Sequence, residues 1–129
     1  MKAFDTPVLL AILHDAPSVK GLLRALRGEE LATTELNLFE LRVVAAAAPA
    51  AERAARETAL ARLRRRITVL PVTAQSVSEA GRHLRGDYRK DPWRALALGT
   101  LAAAGCSEWI TTRAYAPAKG KLPMKVRIV

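Results

Sequence analysis

The chain has 129 residues, half of them apolar, a single cysteine and a formal net charge of +9. That is the length of one domain with enough apolar mass for a core. One cysteine excludes an internal disulfide framework and a multi-cysteine zinc site, and no apolar run approaches a membrane span. The charge is uneven: residues 1–60 hold seven Lys/Arg against eight Asp/Glu, a balance of −1, and residues 61–129 hold fourteen against four, a balance of +10. Such asymmetry is the footprint of a protein that meets a polyanion, or else a solvated helix face. The amino terminus has one Lys and then an acid, with no small-residue cleavage pattern, so it does not read as a signal peptide. A reducing cytoplasm is the expected compartment, with Cys106 a buried structural thiol.

Lys2–Phe4 reads as a first strand, and Thr6–His14 as a short apolar helix. Asp5 stands between them, at the carboxyl end of the strand, where ligands bind in open α/β sheets. The bland reading is an N-cap, since Asp is favoured there and Pro7 suits a first turn. Asp15-Ala-Pro17-Ser18 breaks the helix; Val19, Leu22, Leu23 and Leu26 then recur at helical spacing and Gly28 closes that helix. Leu31-Ala32-Thr33 is a short β-compatible stretch. Thr34 opens a helix expected to carry Leu36, Phe39, Leu41 and Val43-Val44 towards the core. After Pro49, Ala50–Arg66 is strongly helical by propensity.

Ile67–Val72 is the clearest strand signal, β-branched and closed by Pro71. A helix follows from Thr73, with Val77, Ala80 and Leu84 on one side, and then a basic loop, Gly86–Lys90. Asp91-Pro92 is a strong helix start, and the helix runs through Leu96, Leu98 and Leu101 to Gly105. Glu108–Thr112 and Lys125–Val129 read as the last strands. Strands alternating with helices imply crossover connections, hence an α/β fold: a three-layer α/β/α sandwich on a mainly parallel central sheet, in one domain.

Phe4-Asp5-Thr6 ahead of an apolar helix, and Thr33-Thr34-Glu35-Leu36 running on to Phe39-Glu40-Leu41, resemble the first two motifs of the PIN-domain family. Ile67–Val72 with Thr73–Gly81, and Asp91–Gly105 followed by Trp109-Ile110-Thr111-Thr112, resemble its later elements in the same order. A compact single-domain chain looks most like the VapC-type toxins of that family. The resemblance implies a metal-dependent endoribonuclease, held in check by an antitoxin protein and assembled as a homodimer. The apolar early helices, Val8–Leu13 and Val19–Leu26, would offer surfaces for both partners.

The resemblance also implies a site. Asp5, Glu40 and a third acid would hold Mg²⁺ or Mn²⁺, which choose carboxylate oxygens, lower the pKa of a bound water and stabilise the charge developing on an RNA phosphodiester. Glu40 lies among apolar neighbours, where a carboxylate is costly unless paired or metal-bound. The alternative is an ion pair with Arg42 on a solvated face. Glu35, nearer the helix start, is explained by the helix dipole. For the third acid two alignments compete. Asp91 serves if the helix is a turn longer; counting back eleven residues from Gly105 instead lands on Arg94, whose charge opposes metal binding. Asp91 is the expectation, with helix capping as its bland reading. Thr112, taken as the strand-end threonine, puts Ala114 where the family carries Asp or Asn. Thr6 and Thr112 are the expected supporting hydroxyls.

RNA phosphates would meet Arg64–Arg66, Arg82, Arg85, Arg89, Lys90 and Arg94, with the tail Lys119, Lys121 and Lys125. Tyr88 and Trp93 would stack on unpaired bases. His14 and His83 belong to no motif. Arg94 and Ala114 motivate a second reading, a catalytically degenerate PIN-like module that binds RNA or a protein. A nucleotide-binding doubly wound domain fits the alternation, but the Gly-rich phosphate loop is missing.

Overall fold

The computed structural model describes residues 1–83, 88–116 and 122–129. In chain order the elements are β1 (Lys2–Phe4), α1 (Thr6–Leu13), α2 (Pro17–Ala25), β2 (Leu31–Thr34), α3 (Glu35–Ala46), α4 (Ala50–Arg64), β3 (Thr68–Leu70), α5 (Ala74–His83), α6 (Pro92–Ala103), β4 (Glu108–Thr111) and β5 (Lys125–Ile128). The sheet order is β3-β2-β1-β4-β5, and all four pairings are parallel. The expected three-layer fold is the one observed.

Alternation along the strands divides the core. Phe4 and Ile110 point to the side of α1–α4, packing with Val8, Leu9, Leu41 and Leu60. Their neighbours Ala3 and Trp109 point the other way, onto Ala95, Leu98 and Leu101 of α6. A period of two in a strand buried on both faces requires this division. The chain winds outward from β1 through β2 to β3, then returns to β4 on the other side of β1. The carboxyl end of β1 is therefore a topological switch point, the usual ligand crevice of such sheets.

Local chemistry sets the junctions. β3 stops at Leu70 because Pro71 has no amide to donate to the ladder. Thr73 and Ser76 exchange reciprocal hydrogen bonds at the head of α5. Gly99 lets α6 lie against α5: a Cβ there would collide with the backbone of Ser76 and Ala80.

Three expectations about burial need correcting. On α3 the buried apolar positions are Leu36, Leu38, Leu41 and Ala45, with Asn37 buried beside them, whereas Phe39, Val43 and Val44 are exposed. Leu38, not Phe39, faces the sheet, which shifts the apolar stripe by about one residue. On α5, Ser76 and Ala80 are buried and Val77 is 60% exposed, because the close approach to Gly99 accepts only small side chains. Leu84 lies outside the described residues. Tyr88 is buried: its hydroxyl donates to the Tyr115 carbonyl at 2.6 Å and its ring meets Trp109 edge-on, so it belongs to the core and not to a stacking surface.

Candidate active site

Three junctions converge at the carboxyl end of the sheet: β1 into α1, β2 into α3, and the start of α6, with β4 ending beside them. Asp5 caps α1 as its composition predicts, accepting from the Thr6 amide at 2.9 Å. It is also only 1% exposed, which capping does not require. The Thr111 hydroxyl donates to its Oδ2 at 2.7 Å and the Asn37 amide to its Oδ1 at 3.2 Å. Nη1 of Arg94 sits between both oxygens, at 2.5 Å and 2.6 Å.

Glu40 stands next door. Its Oε1 accepts from the Thr6 hydroxyl at 3.1 Å and from the Trp93 indole at 2.9 Å. Thr6 in turn accepts from Asn37 at 2.9 Å, so one hydroxyl joins the two carboxylates' surroundings. Asn37 is fixed by Thr34, whose hydroxyl donates to its side-chain oxygen at 2.6 Å while accepting from its amide at 3.2 Å. Thr34 thus caps α3 and orients Asn37, one turn before Glu40 on the same helix face.

Arg94 is 6% exposed and carries the only cation that the described contacts place on Asp5. Its guanidinium carbon lies 4.1 Å from the centre of the Tyr115 ring, a cation–π arrangement suited to a planar guanidinium. Its Nε is buried without a hydrogen-bond partner and lies 3.9 Å from Asp91 Oδ2. Asp91 caps α6, its Oδ1 accepting from the Arg94 amide at 3.0 Å, and its side chain is 51% exposed.

Asp5, Glu40, Thr6, Trp93 and Arg94 are therefore brought together, and Asp91 stands at the edge, capping its helix. Thr112 is replaced in the expected role by its neighbour: Thr111 is the strand-end hydroxyl on Asp5. Counting two residues on from Thr111 reaches Arg113, which is exposed, rather than Ala114. Asn37 was missed altogether. Its signal is an amide one turn ahead of Glu40, set between Leu36 and Leu38. Arg89 and Lys90 are exposed just before α6; Arg82 is exposed and pairs with Glu79; Arg85, Lys119 and Lys121 lie outside the described residues. Glu35 accepts from the Val72 amide at 2.8 Å, a structural bond. Burial pushes the Cys106 thiol up from its ordinary value, which suits an inert core residue.

These residues do not fit a divalent ion as they are arranged. A carboxylate offers about four lone-pair sites, and Asp5 Oδ1 already has three donors and Oδ2 two. A metal at about 2.1 Å from either oxygen would need the space of Arg94 Nη1. Among the described residues no group of three or more His, Cys, Asp or Glu side chains could hold a metal.

Beside the pair runs a groove of about 510 Å³ walled by Leu10, Phe39, Val43, Val44, Trp93 and Tyr115. Phe39 and Trp93 pack with ring centroids 5.8 Å apart, both partly exposed. Among the described residues no helix is long and apolar enough to cross a membrane.

The PIN domain family model matches residues 2–112. The chain belongs to the PIN domain family. A search of the curated proteins finds no match. Among solved structures, VapBC2 of Rickettsia felis, bound to a DNA fragment from its promoter, is similar over 99% of this chain and 98% of that one, with TM-score 0.78 and 14% identity. VapBC-5 of Mycobacterium tuberculosis, a toxin–antitoxin family member, is similar over 99% and 98%, with TM-score 0.70 and 25% identity. VapC20 of the same organism, a toxin that cleaves the sarcin–ricin loop, is similar over 84% and 87%, with TM-score 0.59 and 17% identity.

Proposed function

We propose that this chain is the toxin-side member of a toxin–antitoxin pair, and that it acts on RNA by binding without metal-dependent hydrolysis. The observation that carries the second half is Arg94 Nη1 lodged between both oxygens of Asp5. The first half is supported by the family and by the likeness to VapBC complexes. RNA as the ligand is supported by the +10 balance of residues 61–129 and by the sarcin–ricin loop that the similar VapC20 cleaves.

In this reading the exposed cations Arg89, Lys90 and Arg113 supply phosphate contacts. Trp93 and Tyr115, 39% and 41% exposed at the groove, supply faces on which unpaired bases stack. A second groove, bounded by Leu10, Leu13, Leu41, Ala45 and Leu60, is the apolar surface offered to an antitoxin. A homodimer belongs to the same reading, as does a cytoplasmic location.

The competing reading keeps a metal-dependent endoribonuclease on Asp5, Glu40 and Asp91. It requires Arg94 to leave Asp5. One assay separates the two: a mixed single-stranded RNA is incubated with the protein in Mg²⁺, Mn²⁺ or EDTA, and both binding and cleavage are followed. We expect binding that weakens steeply with salt and no cleavage in any condition. Mn²⁺- or Mg²⁺-dependent cleavage that disappears in both Asp5→Asn and Glu40→Gln would restore the nuclease. Co-expression with the product of a neighbouring gene tests the pair; failure of any such product to co-purify counts against a toxin-side role.

A further inference from the structure

We infer that Arg94 is the resident cation of this pocket, doing in the fold what a divalent ion would otherwise do. The inference deepens the non-hydrolytic reading and shares its pocket, but its test reads metal binding and no RNA.

A carboxylate buried as deeply as Asp5 is strongly unfavourable without a counter-charge. Arginine usually meets a carboxylate fork to fork, with two nitrogens on two oxygens. Here one nitrogen takes both oxygens, at 2.5 Å and 2.6 Å, as a single cation centre takes a bidentate carboxylate. The neutral donors Thr6, Asn37 and Thr111 fill the remaining sites, as they would around a metal-bound carboxylate.

Arg94 is itself held from three sides. Its amide is fixed by Asp91, its guanidinium lies on Tyr115, and its unpartnered Nε faces the second Asp91 oxygen at 3.9 Å. Two carboxylates thus flank one guanidinium, and Glu40 borders the same pocket through Thr6. The pocket carries its own cation, so the protein needs no metal to fold. The carboxylates become available to an external ion only when the guanidinium is taken away.

The test is an exchange. Wild type, Arg94→Asp and Asp5→Asn/Arg94→Asp are melted in EDTA and in excess Mn²⁺, and bound Mn²⁺ is counted by electron paramagnetic resonance. For the wild type we expect no bound Mn²⁺ and one Tm in both conditions. For Arg94→Asp we expect a lower Tm in EDTA and a rise of roughly 5–15 °C when Mn²⁺ reaches about a hundred times its dissociation constant. The double variant should lose that rise. Stoichiometric Mn²⁺ on the wild type overturns the inference, and so does a folded Arg94→Asp that ignores Mn²⁺. Should Arg94→Asp fail to fold even with Mn²⁺, Arg94→Asn is read in its place; a folded Arg94→Asn without Mn²⁺ response is equally contrary. RNA cleavage by wild type would defeat the functional reading; this one stands or falls on Mn²⁺ binding by the wild type and its Arg94 variants.

Discussion

The two ends of the parallel sheet each carry ion pairs, and they are built differently. At the amino end, Lys2 of β1 lies 3.1 Å from Glu29 and 3.6 Å from Glu108 of β4, and Arg127 of β5 holds Glu108 at 2.7 Å and 3.3 Å. Glu29 and Arg127 are 46% and 38% exposed in their side chains. That ladder ties neighbouring strands at the rim: its shared carboxylate Glu108 is buried, with 11% of its side chain exposed, but both cations on it, Lys2 at 22% and Arg127 at 38%, reach water. At the carboxyl end, Asp5 and Arg94 are almost fully withdrawn from solvent and belong to elements 89 positions apart. A buried pair is weak evidence for stability, since apolar residues could fill the space as well. The difference therefore points to the carboxyl end as the part of the sheet kept for chemistry or recognition.

Mutations at the two ends should separate them by size. Arg94→Ala leaves a buried, unpaired carboxylate and should cost about 3–5 kcal/mol in urea-monitored unfolding, whereas Asp5→Asn/Arg94→Met, which removes both charges, should cost much less. If the two variants were equally damaging, the pair's charge would not be what matters. Asp91→Ala removes the cap of α6 and the second carboxylate beside Arg94, and should cost about 1 kcal/mol, less as salt is raised. Trp93→Phe keeps the packing on Phe39 but loses the indole bond to Glu40; about 0.5 kcal/mol is expected, at the low end for a hydrogen bond because the ring is partly exposed. Glu108→Gln, at the amino end, should cost between about 0 and 1 kcal/mol and less as salt is raised. A Glu108→Gln loss as large as that of Arg94→Ala would erase the contrast between the ends.

Part of this was legible from local signals. Asp5 before Pro7, Thr34 before an apolar helix, and Asp91 before Pro92 each announce a helix start, because caps satisfy amides within three residues of themselves. The same locality explains why capping and function could not be told apart at Asp5 or Asp91 in the sequence. At Asp5 burial and Arg94 add something that capping does not need; at Asp91 the carboxylate caps and stays half in water. The choice between Thr111 and Thr112 turned on which of two adjacent residues points inward, and strand alternation reverses with a shift of one. Phe39, Val43 and Val44 resemble core positions in the sequence because apolar residues surround Glu40 on nearly every side of α3. Only the packing of Leu38 and Leu41 against the sheet fixed which face stayed outside.

Periodicity, capping chemistry and charge are properties of short stretches, and they carry the order of elements, the mainly parallel sheet and the basic second half of the chain. That a carboxylate at position 5 meets a guanidinium at position 94 follows from packing alone. No local rule links residues so far apart; only the crossing of β1 and α6 at one end of the sheet brings them within 2.6 Å.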